Sequence, residues 1–391
     1  MHGPGRSSFE TLALRARPQD DGIKECANMN ESALAQIPIV DVRDGGPVRH
    51  AVESRARARA LREEALAWFP RAMLLLTPAL DRLARRWLTR SQAPYVAEIA
   101  AVAAALGFPG IWFLNNSYQW CCTALAREEG AAPWLVRTLD WPVDGLGRHV
   151  EVARMRGPAG EFFNVTWPGF VGVLTAMAPG RFAAAINQAP LRRRTRHPWL
   201  RPLDIAANAV ETFLRVRHMP PDHLLRLAFE TCRTYAEARR LLESVPVARP
   251  VIFTLIGCAR GERCVIERTE EGHATHDDTV AANDWRHRAA AWEARVGGDL
   301  ILAASFEEAA ANSRARRQAL AAWDGRLPTP GFDWVTAPVL NPYTRVAVEM
   351  CPRTATLRVL GYERATAGAL PTPVTRVCEV ASVPIPKFVS T

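Results

Sequence analysis

The chain has 391 residues, enough to bury a large core in one large domain or in two or three. Hydrophobic residues make up 48% and charged ones 23%, a balance that excludes a disordered chain and fits a globular one. The net charge of +9 is nearly all arginine, since lysine occurs only at Lys24 and Lys387. The arginines are scattered rather than gathered on one face, so the charge reads as compositional bias and no nucleic-acid partner is expected.

Met1 to Asp21 is polar and lacks the apolar core of a secretory signal, and no run of about 18 apolar residues offers a membrane span. Eight irregularly spaced cysteines do not form a disulfide framework, so reduced thiols in a cytoplasmic compartment are expected. A loose leader to about residue 35 precedes Ala35 to Val42, an edge strand by virtue of Pro38. From Val48 to Gly107 the pattern is helical, with segments over Arg55 to Trp68, Phe69 to Thr89 and Tyr95 to Leu106. The apolar run Met73 to Leu76 reads as core, with an amphipathic surface helix and peripheral membrane contact left open.

Cys122 to Arg127 reads as a short strand, residues 128–133 as a turn, and Trp134 to Leu139 as the returning strand. The hairpin should bring Arg137 and Asp140 to the Cys122 end. A cation there lowers a thiol pKa and a carboxylate can orient a base, so the three together suit a sulfur nucleophile. A cysteine in an apolar strand is more often a small buried hydrophobe than a nucleophile, and that reading stands beside the chemical one.

Alternating runs follow at His149 to Met155, Glu161 to Trp167, Val171 to Met177 and Phe182 to Asn187. Strands 134–141, 149–155 and 161–167 are expected to pair as neighbours. The arginine-rich Leu191 to Pro198 reads as a solvated loop. Helices are expected over Pro202 to Val216, Asp222 to Phe229, Tyr235 to Ser244 and Phe306 to Trp323. Strands are expected over Val251 to Cys258, Arg263 to Arg268, Thr336 to Val348 and Thr354 to Leu360. This order fits an α+β fold in which helices cover both outer faces of two stacked antiparallel sheets. No phosphate-binding glycine loop, zinc motif or Gly-x-Ser-x-Gly elbow is present, so no cofactor or metal is expected.

Several segments together resemble the N-terminal nucleophile hydrolases of the acid ceramidase and N-acylethanolamine acid amidase branch, with bile-salt hydrolases and penicillin V acylase as more distant cousins. They are Cys122 to Leu125, Arg137 to Asp140, Gly169 to Thr175 with Pro179 to Phe182, Ala281 to Trp285, and Pro338 to Asn341, in that order. The resemblance implies an αββα sandwich and self-cleavage between Cys121 and Cys122. Residues 1–121 would become an N-terminal helical subunit and residues 122–391 the catalytic subunit of a heterodimer. It implies that Cys122 supplies both a thiol nucleophile and an α-amine base. Asp140 would hold the amine, Arg137 would stabilise the thiolate, and Asn341 would donate to the oxyanion. Relatives carry a glutamate where Gln188 stands, which implies either that maturation here does not require acid or that self-cleavage is impaired. The adjacent Cys121 is a second candidate nucleophile. The implied reaction is hydrolysis of linear N-acyl amides with an apolar acyl chain. An acyltransferase of the same fold and an inactive lipid-binding relative are the alternatives.

Overall fold

Residues 34–67, 75–116, 121–277, 279–286, 292–295 and 304–380 are described in the computed structural model of the chain. From Ala35 onward they belong to one compact unit. The expected leader lies almost wholly outside them. Strand β1 (Ile39–Asp41) leads into helices α1 (Gly46–Glu53), α2 (Arg55–Ala67), α3 (Thr77–Arg90), α4 (Val96–Leu106) and α5 (Ile111–Leu114). Helix α4 stops where a glycine permits it: Gly107 turns to φ 70° and its N–H caps the Ala103 carbonyl.

The strands that follow are β2 (Cys121–Glu129), β3 (Ala132–Asp140), β4 (Glu151–Gly157), β5 (Gly160–Thr166), β6 (Thr175–Ala178), β7 (Phe182–Gln188) and the short β8 (Leu191–Arg192). Helices α6 (Arg201–Leu214), α7 (Pro221–Thr231) and α8 (Tyr235–Ser244) come next. The remainder is β9 (Val251–Ile256), β10 (Arg263–Arg268), β11 (His273–His276), β12 (Val280–Ala281), β13 (Trp292–Glu293), α9 (Phe306–Ala322), β14 (Thr344–Cys351), β15 (Thr356–Glu363), β16 (Thr372–Pro373) and β17 (Cys378–Val380).

One sheet runs β1-β4-β5-β6-β7-β9-β10-β11 and the other β12-β2-β3-β14-β15-β16, with β17 also on β15. Both are antiparallel apart from the parallel β1–β4 pair at the edge where Pro38 predicts it. Cys122, Leu135, Leu139 and Val348 of the second sheet share one core with Met177, Ala183, Phe253 and Leu255 of the first. On the second sheet's outer face, Leu125, Val136 and Ala347 pack with Leu320 of α9 and with Phe332 and Trp334. On the first sheet's outer face, Phe229 of α7 packs against Phe162 and Phe182, with ring centroids 5.4 and 4.7 Å apart. The layering is therefore helix, sheet, sheet, helix, and the α+β sandwich expected from the order of elements is the fold. Strands covered on both faces explain why β3 and β7 are buried along their whole length.

Five expectations need correction. Strand β3 does not pair with β4: its free edge is taken by β14, with Arg137 opposite Val348. The ten residues between β3 and β4 include Pro142, Gly145 and Gly147 and carry the chain across to the other sheet. The strand expected over 171–177 shrinks to β6, and that over 336–348 begins only at Thr344, after Pro338 and Pro342. Leu75 and Leu76 are not core: they lead into α3 and are 83% and 54% exposed. Met73 and Leu74 lie outside the described residues. The arginine run at 191–196 is not a free loop either. Leu191 and Arg192 pair with β13, and Arg192 and Arg194 meet Glu270 and Glu211.

Candidate active site

Cys122 stands at the head of β2, which turns into β3 at Gly130 and Ala131. Gly130 at φ 61° supplies the dihedral that a two-residue turn needs. The turn is shorter than the six residues expected, and the ladder runs without a break from Glu129↔Ala132 to Cys121↔Asp140. Register then decides which groups meet. Arg137 lies opposite Ala124 and therefore diagonal to Cys122 on the same face. The small Ala124 leaves its guanidinium room to reach the thiol. Asp140, opposite Cys121, points to the other face, toward α9.

Arg137 is 1% exposed. Its Nη2 donates to Cys122 Sγ at 2.8 Å and to the Ile186 carbonyl at 3.0 Å, and its Nη1 to Thr175 Oγ1 at 2.5 Å. Among the described residues no carboxylate forms an ion pair with it. A buried cation without a carboxylate is costly, and the one ionisable group it touches among those residues is the Cys122 thiol. Burial pushes that thiol above its usual range; Arg137 pulls the other way without overcoming it. The expected lowering of the thiol pKa is therefore corrected, because full burial outweighs one guanidinium. Burial likewise pushes the Cys121 thiol up to about 12.

Asp140 accepts from Asn341 Nδ2 at 2.8 Å and from Thr344 Oγ1 at 3.0 Å, with Arg316 Nη1 3.8 Å away. Burial raises its carboxyl, and Arg316, Asn341 and Thr344 partly oppose the rise. Asn341 thus joins Asp140 rather than Cys122, and its second amide hydrogen goes to the Val339 carbonyl at 3.1 Å. Gln188 ends β7, and its carbonyl accepts from Asn283 Nδ2 at 2.8 Å.

Asn283 is in contact with the Cys121–Cys122 bond. Its Oδ1 accepts the Cys122 N–H at 2.9 Å and also Arg316 Nη2 at 3.0 Å. Arg316 Nη1 donates to the Cys122 carbonyl at 2.9 Å. The arrangement holds the backbone on both sides of Cys122 while leaving its sulfur to Arg137.

Over 249 residues the chain is 23% identical to the N-acylethanolamine-hydrolyzing acid amidase of Cavia porcellus, a match covering 62% of this chain and 63% of that protein. The chain is similar to the N-terminal nucleophile hydrolases of the acid ceramidase and N-acylethanolamine acid amidase branch. It spans just under two-thirds of the length of that curated relative. No protein-family model matches it. Among solved structures it is similar to a Caenorhabditis elegans ortholog of N-acylethanolamine-hydrolyzing acid amidase, with a TM-score of 0.44, 16% identity, and coverage of 60% of this chain and 93% of that one. It is also similar to a mutant conjugated bile acid hydrolase from Clostridium perfringens, with a TM-score of 0.37, 10% identity, and coverage of 67% of this chain and 97% of that one.

Two residues of the site were not singled out from sequence. Arg316 sits in a helix that reads as charged and solvated, yet Ala309, Ser313, Arg316 and Leu320 form its buried stripe. The signal was that spacing, which puts one arginine in line with small and apolar residues. Asn283 lies in the segment Ala281 to Trp285, where nothing local distinguishes a turn asparagine from one buried at the nucleophile.

Proposed function

We propose that the chain is a cysteine amidase that cuts itself between Cys121 and Cys122 and then hydrolyses the linear amide of N-acyl amides bearing an apolar acyl group. The observation carrying this reading is the Arg137–Cys122 contact at the head of the strand. There a buried guanidinium has a thiol as its one ionisable hydrogen-bond partner among the described residues. The relative's name, an N-acylethanolamine-hydrolysing amidase, supports the substrate class.

In maturation the Cys122 thiol loses its proton and its sulfur bonds to the Cys121 carbonyl carbon. The Cys121–Cys122 C–N bond breaks and the departing nitrogen takes a proton to become the α-amine. Water then hydrolyses the thioester, leaving a carboxylate on Cys121. Arg137 stabilises the sulfur anion, and the Asn283 contact fixes the plane of the scissile amide. Residues 1–121 and 122–391 would form fragments of roughly 13 and 30 kDa, in proportion to the 43.2 kDa chain.

Cys122 has no exposed surface in the uncut chain, so turnover follows cleavage. The new α-amine, with an ordinary pKa of about 8, takes the thiol proton and passes it to the leaving amine. Asp140, braced by Asn341 and Thr344, holds that amine. The acyl group rests on sulfur as a thioester until water releases the acid. For the oxyanion, Asn283 is better placed than Asn341: one of its Nδ2 hydrogens remains unspent among the described residues, whereas both of Asn341's are used. One such donor is worth about 3 kcal/mol in the transition state.

The test is product analysis with an N-acylethanolamine, with and without an added amine. Free fatty acid from the wild type and none from Cys122→Ala is the expected result. A new acyl amide in place of free acid would make the chain an acyltransferase. A single intact band in both proteins, without turnover, would make it an inactive relative.

Peripheral membrane contact belongs to the same proposal. Leu203, Val210 and Leu214 of α6 are exposed, with Trp199 just ahead of them. Helix α3 lies alongside, joined by Trp87 Nε1 to the Thr212 carbonyl at 2.9 Å, and is preceded by the exposed Leu75 and Leu76. Arg82, Arg85 and Arg86 of α3 are exposed around them. An apolar stripe with a cationic rim suits the headgroup region of an anionic bilayer.

A further inference from the structure

Self-cleavage turns one neutral amide and a water into two ions, an ammonium on Cys122 and a carboxylate on Cys121. Total charge is unchanged, but each ion needs a partner in a site this closed. On the proposed mechanism Asp140 holds the amine. The carboxylate needs a cation of its own, and three arginines bear on the question. Arg137 is spent on the Cys122 sulfur, Thr175 and the Ile186 carbonyl. Arg316 has a partner at each of its three nitrogens: Asn312 Oδ1 at Nε, the Cys122 carbonyl and Thr123 Oγ1 at Nη1, and Asn283 Oδ1 at Nη2. Arg295 differs. Its Nε donates to the Ala189 carbonyl at 3.2 Å, and its terminal nitrogens make no hydrogen bond or ion pair among the described residues.

The end of β7 places Arg295 at the scissile bond. Asn283 Nδ2 is fastened to the Gln188 carbonyl and Arg295 Nε to the next carbonyl along, that of Ala189. Successive residues lie about 3.8 Å apart, so the two side chains run side by side. The Arg295 N–H also donates to the Asn283 carbonyl at 3.2 Å. Asn283 Oδ1 accepts the Cys122 N–H at 2.9 Å, and the carbon that becomes the carboxylate is bonded to that nitrogen. Burial lowers the Arg295 guanidinium to about 10. The nearby Cys121 thiol opposes the fall, the like charge of Arg249 adds to it, and Glu293 opposes it. Glu293 is already engaged, since its two oxygens accept from Arg201 Nε at 2.9 and 3.0 Å.

We propose that Arg295 binds the α-carboxylate that self-cleavage creates on Cys121, so that the two new termini have separate counter-ions, Asp140 for the amine and Arg295 for the acid. The planar guanidinium matches a carboxylate through both terminal nitrogens. The pairing keeps the end of the first fragment beside the nucleophile and draws cleavage to completion, because re-forming the amide would give up both ion pairs. The proposal rests on the self-cleavage reading.

Melting temperatures of the cut and uncut protein test it. Arg295→Gln is made in the wild type, whose cutting is read on denaturing gels, and in Cys122→Ala, which should stay uncut. In the uncut chain the substitution removes a cation that has no carboxylate, so the melting temperature should hold or rise. In the cut protein it removes the partner of the new terminus, so the melting temperature should fall by about 3 °C or more. Arg295→Lys should recover most of that loss. An equal fall in both forms would mark a merely structural role, and that result, or no fall in the cut protein, would overturn the proposal. Should Arg295→Gln remain uncut, Arg295→Lys decides: cutting restored by the lysine charge would support the proposal, and failure of both variants to cut would overturn it. A wild type that never cuts would remove the self-cleavage reading and this proposal together, whereas a cut wild type indifferent to Arg295 would remove this proposal alone.

Discussion

Arg137 gains its meaning from what surrounds it. Thr175, the Ile186 carbonyl and the Cys122 sulfur share a guanidinium that no carboxylate neutralises among the described residues. Arg137→Met should slow self-cleavage by about 100-fold, the effect of losing one strong stabiliser of developing negative charge. The half-time of fragment appearance on denaturing gels measures this, and cleavage at the wild-type rate would refute the role. The pH dependence follows from the sulfur. A thiol held above its usual range is less ionised at any given pH, so the thiolate fraction and the maturation rate should climb as pH rises from about 6 to about 9. Gln188 has no proton to gain in that window. Cleavage faster at pH 5 than at pH 8 would contradict both statements.

At the scale of elements, the β2–β3 hairpin was the most legible part of the chain. Two apolar runs around a glycine turn determine which residues face one another, and from the register the Arg137–Cys122 diagonal follows. The long helices and the Arg263 to Arg268 strand were legible for the same reason: periodicity and turn residues are local. What was not legible is non-local. No feature of residues 134–141 says that β14, some two hundred positions later, will take the edge offered to β4. Nor does the α9 sequence say that Arg316 spans to the Cys122 carbonyl.

The edge strand β1 offers a separate test. Arg43 joins Asp41 at 2.6 Å and Glu161 at 2.9 Å, and Arg154 and Arg156 meet the same Glu161 at 2.7 and 3.0 Å. Burial raises the Glu161 carboxyl, but hydrogen bonds from Arg43, Arg156 and Arg154 prevail and bring it down to about 2. A depressed carboxyl contributes stability that is fully present above its ordinary value of 4.5 and lost as pH falls toward 2. Glu161→Gln should therefore flatten the fall in melting temperature across that window, and an unchanged acid limb would show that the cluster is not coupled to folding.

Over the whole molecule, the described residues from Ala35 to Asn116 are built into the sandwich. Glu151 of β4, fully buried, accepts from His50 Nε2 at 2.5 Å and Ser54 Oγ at 2.8 Å and pairs with Arg57 at 2.5 Å. Asn115 bonds the Gly169 carbonyl and the Val171 N–H, and β1 adds a strand to the first sheet. The two fragments should therefore co-elute after cleavage and separate only in denaturant. Glu151→Ala, which strands the buried His50 and the half-buried Arg57, should cost about 3 kcal/mol in thermal or denaturant unfolding. The exposed stripe of α6 should make the protein sediment with phosphatidylserine vesicles, and Leu203→Glu with Leu214→Glu should abolish sedimentation. Equal sedimentation of that double variant would remove the membrane contact.

Self-cleavage would free one sulfur from its upstream neighbour so that its own nitrogen can serve it. Intact-mass analysis with N-terminal sequencing of the purified protein tests it most directly. A new terminus reading Cys-Thr-Ala-Leu from Cys122, lost in Cys122→Ala, is the expected result. An uncut chain that still hydrolyses amides, or a terminus beginning at Cys121, would contradict it.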